Sequence, residues 1–265
     1  MGKVNLFYMN TLFLEYKILH DQPGLLGDVA SLMGLLDINI QTIASIEGQN
    51  RGFLLDISDS EKRNKLAETL KSISDLKILN FRKPALEDFL ALKHGKKISL
   101  RKEKNTYNFC RTELELLLDF MSHYLSRDKE VKIGLKGAPK IGKTETAIAA
   151  AVHANKEWRL LSTTLLRKIA VTKLSSEKID IQTVYIIDAI TTFHRSTAEH
   201  VRFIKNFLAE VSAPIIIEHP QIFIEETQYE IEIFDVLVEL SSENYSSKEN
   251  DLKKYIQSFN SFDSS

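Results

Sequence analysis

The first third of the chain alternates two patterns of apolar residues, one with the periodicity of a strand and one with that of a helix. In the strand-like segments every second residue is apolar, and in the helix-like segments apolar residues return every three or four positions. Turn residues separate the segments, among them DQPG after the first strand and QNRG in a predicted hairpin. The predicted elements are a strand over 11–19, a helix over 24–37, a strand with a bulge over 38–48, a strand over 52–58, a helix over 58–73 capped by Ser58 or Ser60, and a strand that ends at Pro84.

This βαββαβ order is that of the ferredoxin-like split unit, in which helices cover an antiparallel sheet. We therefore predict an α+β domain over residues 11–83. The chain has 265 residues, whereas single domains cluster near ~100–150 residues, so a second core is expected further along.

Residues 84–130 have a different character and are predicted to form a basic connector followed by an amphipathic helix. Lysine and arginine outnumber acidic residues around 82–104, which indicates a solvated connector or, as an alternative, a contact with nucleic acid. Thr112 and Glu115 have the spacing of a capping box, and the apolar residues after them fall on one helical face that we expect to pack on the second domain. The cations that would contact nucleic acid are Lys96, Lys97, Arg101 and Lys102.

From residue 131 onwards, nearly continuous apolar strands alternate with helical segments. The strands are VKIGL, VYIIDA, APIII and FDVLVEL, and such runs are typical of a parallel sheet that is covered on both faces. We predict a three-layer α/β domain over 131–240 and a polar C-terminal tail over 241–265. The predicted fold class is therefore α/β in the broad sense, an α+β domain followed by a parallel-sheet domain.

The segment from Gly137 to Thr144 fits the pattern G-x-x-x-x-G-K-[ST] of the Walker A phosphate-binding loop, or P-loop. An apolar strand precedes it and an alanine-rich helix follows it, which is the context that the loop needs. Glycines let backbone amides approach phosphate oxygens, and the start of the helix adds partial positive charge. Lys143 is predicted to reach the β- and γ-phosphates. The predicted nucleotide-binding residues are Gly137, Ala138, Pro139, Lys140, Ile141, Gly142, Lys143, Thr144 and Glu145.

Two acidic residues at the ends of later strands complete the predicted site. Asp188 ends the strand VYIIDA and has the form of a Walker B carboxylate, which holds Mg²⁺ through water. Glu218 follows the strand APIII and, with His219, is a candidate for sensing the γ-phosphate or the attacking water. We therefore predict catalytic roles for Lys143, Asp188 and Glu218, magnesium contacts for Thr144 and Asp188, and ATP or another NTP with Mg²⁺ as the bound cofactors of a P-loop NTPase domain.

The sequence leaves the type of P-loop protein open. ATPases of the additional-strand type commonly carry a glutamate directly after the Walker B aspartate, where Ala189 stands here. Kinases with an arginine-bearing lid are disfavoured, because no lysine or arginine occurs between Lys205 and Lys248. The segment LSTT, 161–164, could still contact an acceptor, and Arg195 could contact phosphate or a partner. A magnesium-dependent ATPase, a small-molecule kinase and a non-catalytic nucleotide- or nucleic-acid-binding regulator are all kept as hypotheses.

The amino-acid composition indicates the environment of the protein and does not indicate its function. Hydrophobic residues make up 43% of the chain, charged residues 27%, and the net charge is −1, which gives no reason to expect a polyanion or a membrane as a partner. Cys110 is the only cysteine, so an intramolecular disulfide and a cysteine-based metal cluster are excluded. No apolar run approaches the ~18 residues of a membrane span, and the N-terminus lacks a signal pattern. We expect a cytoplasmic protein.

The segment LHDQPGLLGDVASLMGLLDINIQTI, 19–43, with the strand GFLLDIS after it, resembles ACT domains. These domains carry a Pro-Gly-Leu signature between the first strand and the first helix, and an Asn-Ile pattern at the second strand. They typically pair side by side and bind an amino acid or a similar small effector at the interface, although some only dimerise. The resemblance implies a homodimer and an effector pocket lined by Asp21, Gln22, Gly24, Leu25, Asn39 and Gln41.

The combination of the two predicted domains resembles a group of functionally uncharacterised bacterial proteins that join an ACT domain to a P-loop domain. The resemblance covers most of the chain. It implies a nucleotide-binding regulatory protein, a magnesium-dependent ATPase or other NTPase whose state responds to an amino acid bound at an ACT dimer. Direct activation of transcription is not implied, because the chain lacks a GAFTGA loop and a clear C-terminal helix-turn-helix.

Overall fold

The computed structural model describes residues 10–101, 106–127, 129–161, 181–194 and 197–242, with the side chains of Arg101 and Glu210 left aside. The chain divides into two compact units, Met1–Ile98 and Ser99–Ser265. The first unit contains an antiparallel sheet and the second a mostly parallel one, so the protein is of mixed α/β class. Within the described ranges, no helix combines the length and the apolar character that a membrane crossing requires.

The first unit is built on a four-stranded antiparallel sheet with the order β2-β3-β1-β4. The predicted βαββαβ order is confirmed, and the register between β2 and β3 shifts between Ile40 and Thr42, where a bulge was expected. Asp59 caps the second helix by accepting a hydrogen bond from the Glu61 amide, so the prediction of a serine cap was wrong by one residue. The elements are β1 Thr11–Ile18, α1 Leu25–Leu35, β2 Asn39–Ile46, β3 Asn50–Asp56, α2 Ser60–Ser72, β4 Leu76–Arg82 and α3 Leu86–His94.

Both faces of this sheet are covered. The helices α1 and α2 pack on one face, where Tyr16 and Phe53 stack with ring centroids 5.8 Å apart. The opposite face carries Phe13, Ile46 and Leu54, and helix α3 packs on it through two buried residues. Alternate side chains of β1 therefore enter two different apolar clusters, as the period of two along a strand requires.

Helix α3 approaches the sheet closely, and Gly52 makes this possible. A Cβ atom at Gly52 would lie 2.5 Å from Cδ1 of Ile46 and 2.8 Å from Cδ2 of Leu92, closer than carbon atoms can pack. Asp88 fixes the start of the helix, because its carboxylate accepts from the Ala85 amide at 2.7 Å and from the Arg82 guanidinium at 2.6 and 3.0 Å. The helix is therefore part of the first unit.

The predicted connector over 84–130 is thus divided between the two units. Its first part forms α3 on the first sheet, and its second part supplies two strands and a helix to the second unit. The cap of that helix also differs from the prediction. The Cys110 amide donates to Glu113 at 2.7 Å, which forms a capping box two residues before the expected pair of Thr112 and Glu115.

The second unit contains a seven-stranded sheet with the order β5-β6-β11-β7-β10-β9-β8. All neighbouring strands run parallel except β5, which pairs antiparallel with β6 at one edge. The strands are β5 Ser99–Arg101, β6 Thr106–Cys110, β7 Lys132–Gly137, β8 Glu157–Leu160, β9 Thr183–Asp188, β10 Ile215–Glu218 and β11 Val236–Ser241. The helices are α4 Leu114–Leu125, α5 Lys143–His153, α6 Ala189–Phe193, α7 Ala198–Glu210 and α8 Pro220–Thr227.

Helices cover both faces of the second sheet, as the apolar strand runs predicted. One face packs on α6, α7 and α8 in a cluster that includes Tyr185, Ile187 and Phe223. The helices α4 and α5 contact each other and take no part in that cluster; α5 contacts β7, β9 and β10 from the other face. The expected packing of the amphipathic helix in the second half of the chain is confirmed, and this arrangement aligns the carboxyl ends of β7, β10 and β9 at one edge.

Candidate phosphate-binding site

The glycine-rich loop lies between β7 and α5, and two of its positions require glycine. Gly137 has a φ of 148°, and a Cβ atom there would lie 3.0 Å from both Cγ2 of Ile141 and the Leu240 carbonyl oxygen. Gly142 has a φ of 97° and is the residue that precedes the helix. Side chains with a Cβ atom rarely adopt either conformation. The tight turn of the loop therefore depends on the glycine spacing seen in the sequence.

The first amides of α5 point out of the end of the helix. No side chain caps this end, because the residue at the cap is Gly142. The first N–H groups of any α-helix lack a partner within the helix, and the helix dipole places partial positive charge there. The loop and the helix start together form a concave set of donors that suits an anion.

Lys143 brings a cation to the same loop. Its side chain is buried, and Nζ donates hydrogen bonds to the carbonyl oxygens of Gly137 at 3.2 Å and Ala138 at 2.9 Å. The ammonium group is thus held against two carbonyl oxygens of the loop. A phosphate group in the loop would meet this charge at close range.

Two carboxylates lie at the adjoining strand ends. Thr144 Oγ1 donates a hydrogen bond of 2.7 Å to Oε1 of Glu218, which ends β10. In the register of the sheet, Glu218 is paired with Leu135 of β7 on one side and with Asp188 of β9 on the other. Asp188 accepts a hydrogen bond from the Ile190 amide at 3.0 Å. The structure therefore brings the loop and the two predicted acidic residues to one edge of the sheet.

The environment of Glu218 favours its protonated form. Only 3% of the residue is exposed, and this burial is the main reason that the pKa of its carboxyl group is raised above the usual value. The hydrogen bond from Thr144 and the charge of Lys143 act in the opposite direction, whereas the negative charges of Asp188 and Glu145 add to the rise. A carboxyl group of this kind holds a proton more firmly than an exposed one.

His219 follows in a strained conformation. It has a φ of 57° and a ψ of 55°, in the left-handed region, and it precedes Pro220 at the start of α8. Its amide donates to the Leu135 carbonyl oxygen at 3.1 Å, which fixes the turn to β7. Burial lowers the pKa of the imidazole, and the positive charge of Lys143 lowers it further, while Asp188 acts against this change. Residues in the left-handed region are common at functional sites, so the conformation of His219 supports a functional hypothesis for this position.

The donor set fits magnesium bound together with phosphates. The described residues contain no group of three or more histidine, cysteine or acidic residues that could hold a metal ion by themselves. Mg²⁺ is usually held by one or two carboxylates plus substrate phosphates, with several waters retained. The Thr144 hydroxyl, Asp188 and Glu218 supply only oxygen atoms, as Mg²⁺ prefers.

The residues predicted to bind an effector do not come together within one copy of the chain. Asp21 and Gln22 follow the end of β1, whereas Asn39 is paired with Asp56 at the end of the sheet where β1 begins. The two ends of the sheet are about 23 Å apart along β2, because each residue lengthens a strand by about 3.3 Å. Leu25 is buried and belongs to the apolar core beneath α1. Gly24 lies at the start of α1, and Gln41 accepts a hydrogen bond from Thr11 at 3.5 Å.

Several other residues that the sequence suggested for binding either form contacts within the fold or lie outside the described residues. Lys97 forms an ion pair of 2.5 Å with the buried carboxylate of Glu15, and Lys96 also has an interaction within the fold. These contacts weigh against a free basic surface for nucleic acid. The candidates that lie outside the described residues are Arg195, Ser162, Thr163, Thr164, Lys102 and the side chain of Arg101.

Sequence reasoning missed two residues that line cavities beside the loop. Arg111 follows the end of β6, and Gln221 lies in the first turn of α8. The sequence pattern predicts neither the strand β6 nor the helix α8. Recognition of 106–110 as a strand would have placed Arg111 at the same edge of the sheet as the loop.

Comparisons with known proteins give a family and no activity. Residues 78–264 match the family described as "Protein of unknown function (DUF3388)". The "Uncharacterized protein YmfK" of Bacillus subtilis (strain 168) is 35% identical over 232 residues, which cover 87% of this chain and 86% of that protein. The solved prephenate dehydratase (PDT) from Staphylococcus aureus subsp. aureus Mu50 is 28% identical over 28% of this chain and 29% of its own, with a TM-score of 0.25 that supports no argument. The chain belongs to the family described as "Protein of unknown function (DUF3388)".

Proposed function

We propose that the second unit is a P-loop domain that binds a nucleoside triphosphate with Mg²⁺ and hydrolyses it. The main support for the proposal is the hydrogen bond of 2.7 Å that Thr144 donates to Glu218. It joins the hydroxyl that follows the loop lysine to a buried carboxylate at the end of a neighbouring strand. The sequence pattern of the loop and the two glycine conformations support the same site.

Each residue then has a role that matches its environment. The amides of the loop and Lys143 bind the phosphates, because both present positive charge to the same concave surface. Thr144 and Asp188 would hold Mg²⁺, which neutralises charge on the transferred phosphoryl group when bound. Glu218 accepts a proton from the attacking water, a task that suits a buried carboxylate with a raised pKa.

The order of the strands supports this role for Glu218. Strand β10 lies between the loop strand β7 and the strand β9 that ends at Asp188, so Glu218 lies between the loop and Asp188. Ala189 stands where a glutamate commonly follows the Walker B aspartate in ATPases of the additional-strand type. Glu218 supplies a carboxylate from the strand beside Asp188, which compensates for the missing one.

The first unit is proposed to be an ACT-like regulatory domain. Its βαββαβ order and the strand order β2-β3-β1-β4 support the resemblance seen in the sequence. Because Asp21 and Asn39 lie at opposite ends of the sheet, an effector that contacts both requires two copies side by side in opposite directions. We propose that an amino acid binds at such a junction in a homodimer and changes nucleotide affinity or turnover.

Phosphate release from Mg-ATP and Mg-GTP by the full chain tests the proposal, with Lys143→Ala as the test variant and Lys129→Ala as the control. Lys129 is exposed and precedes β7, so it lies at the opposite end of that strand from the loop and its loss should have no effect. Turnover that is lost only in Lys143→Ala supports the assignment. Equal turnover in all three proteins would assign the activity to a contaminant, and binding without release in any condition would reject hydrolysis. Addition of single amino acids to the same assay tests regulation.

A further inference from the structure

A cavity of about 280 Å³ lies in the second unit beside the start of helix α5. It opens between the end of β6, the first turn of α4 and the exposed side of α5. Its floor is formed by buried apolar side chains, Leu117 and Leu240, and Leu114 lies at its mouth with 45% of its surface exposed. The polar groups on its walls include Arg111 and Glu145.

The cavity shares residues with the phosphate-binding loop. Gly142, Glu145 and Thr146 line it, and the same residues form the first turn of α5. If the phosphates of a ligand bind at this helix start, the part of the ligand that is attached to them can reach the cavity. Its volume lies near the lower limit of small-ligand pockets, roughly 300 Å³, which suits one base with its sugar rather than a larger group.

We propose that this cavity binds the base of the nucleoside triphosphate, a step that rests on the proposed function and adds the site of base recognition. A nucleobase is flat and has two π faces, which fit apolar walls such as Leu114, Leu117 and Leu240. Arg111 supplies a planar cation that stacks on such a face, as guanidinium groups do on aromatic rings. Glu145 supplies an acceptor for the N–H groups at the edge of the base.

A second cavity of about 370 Å³ lies beside the same loop and suits a base less well. It shares Ile141 and Leu240 with the first, but its other walls are mostly polar. Lys136, Glu239 and Ser241 line it, and each is already engaged in interactions within the fold. The first cavity is therefore the better site for the base.

Calorimetric titration of the full chain tests this proposal with two probes, Mg-ATP and magnesium tripolyphosphate. Tripolyphosphate has the phosphates but no base, so it reports on the loop alone. Ala149→Leu adds a branched side chain to the wall of the cavity, and Val152→Leu on the same helix, 61% exposed and outside the cavity, is the matched control. Arg111→Ala, at an exposed position, is a second test that does not depend on repacking.

We expect wild-type protein to bind Mg-ATP at least about tenfold more tightly than tripolyphosphate, a modest gain for a bound base. Ala149→Leu and Arg111→Ala should each weaken Mg-ATP binding by about tenfold and leave tripolyphosphate binding unchanged, whereas Val152→Leu should change neither. Equal wild-type affinity for both probes, or unchanged Mg-ATP affinity in both variants, would overturn the base site while the phosphate site stands. Binding of neither probe would overturn the proposed function itself.

Discussion

Replacement of Glu218 by glutamine should slow hydrolysis and at the same time stabilise the protein. Glutamine keeps the size of the side chain and an oxygen that can accept the 2.7 Å hydrogen bond from Thr144. It removes the negative charge and the capacity to take a proton from water. Loss of a general base typically lowers a rate by about 10²- to 10⁴-fold, or roughly 3 to 5 kcal/mol in activation free energy.

The gain in stability follows from the surroundings of the carboxylate. Glu218 is buried and paired in register with Asp188 on the next strand. Neighbouring strands are about 5 Å apart, and two unit charges about 5 to 7 Å apart repel by roughly 2 to 3 kcal/mol at an effective dielectric constant of about 20. Lys143 offsets part of this repulsion. We therefore expect the unfolding free energy of Glu218→Gln to be about 1 to 2 kcal/mol higher at neutral pH, or a rise of about 2 to 8 °C in the melting temperature.

The raised pKa of Glu218 also predicts how the stability of the wild-type protein changes with pH. Because burial raises the pKa of Glu218 in the folded protein, the folded state binds a proton more tightly than the unfolded chain. Wild-type stability therefore falls as the pH rises from the ordinary glutamate value, about 4.3, through the raised value, and this loss persists above it. Glutamine does not titrate, so the advantage of Glu218→Gln should disappear at the acid end of this window.

Two assays test this prediction, phosphate release with saturating Mg-ATP and thermal unfolding from acid to neutral pH. Glu226→Gln is the control, since Glu226 is exposed on α8 and should change neither quantity. The reasoning is refuted if Glu218→Gln retains most of the wild-type rate, or if it melts at a lower temperature than the wild type at neutral pH.

Three further substitutions probe the loop, the metal and the first unit. Gly137→Ala forces a side chain into a space with contacts of 3.0 Å, so it should lower stability by about 1 to 3 kcal/mol in thermal unfolding and abolish Mg-ATP binding; wild-type affinity would contradict this. Thr144→Val should gain less ATP affinity from Mg²⁺ over EDTA than the wild type does in calorimetry, because one of the two groups that would hold the ion is lost; an unchanged gain would contradict the role. Glu15→Ala leaves Asn50, Asn80 and a lysine without their buried partner, so urea unfolding should show a loss of about 2 to 4 kcal/mol in the first unit, while unchanged stability would contradict this.

The glycine-rich loop between β7 and α5 could be predicted because its residues are contiguous in the sequence. The spacing of Gly137 and Gly142 marks two positions that the backbone occupies at positive φ. Asp188 and Glu218 could be predicted only singly, as polar residues at the ends of apolar strands. That they are paired in register depends on β10 lying between β7 and β9, an order fixed by long-range strand pairing.

The strands β5 and β6 of the second sheet were missed because nothing local marks them. Strand β6 has five residues and follows a basic stretch, and it is stabilised by pairing with β11, where Thr106 is opposite Leu237. The capping box of the next helix was placed wrongly for a related reason. Glu113 and Glu115 both follow a possible cap at the right spacing, and the end of β6 at Cys110 selects the first.

The separation of the proposed effector residues could have been deduced from chain direction. Helix α1 runs back across the sheet after β1, so β2 has to begin at the end where β1 begins. Asp21, after β1, and Asn39, at the start of β2, therefore belong to opposite ends in any βαβ unit of this kind. The signature residues indicated a family resemblance, but only the path of the chain shows that a shared pocket needs a second copy.

Calorimetric titration of Mg-ATP and Mg-GTP into the full chain and into Lys143→Ala tests the central claim most directly. The account predicts saturable binding of at least one nucleotide by the wild-type chain. It also predicts a loss of about 2 to 4 kcal/mol in Lys143→Ala, which is roughly 30- to 700-fold in affinity, because a buried cation next to the phosphates is removed. Absence of binding to either nucleotide, or equal affinity in the two proteins, would contradict the claim that this loop binds the phosphates.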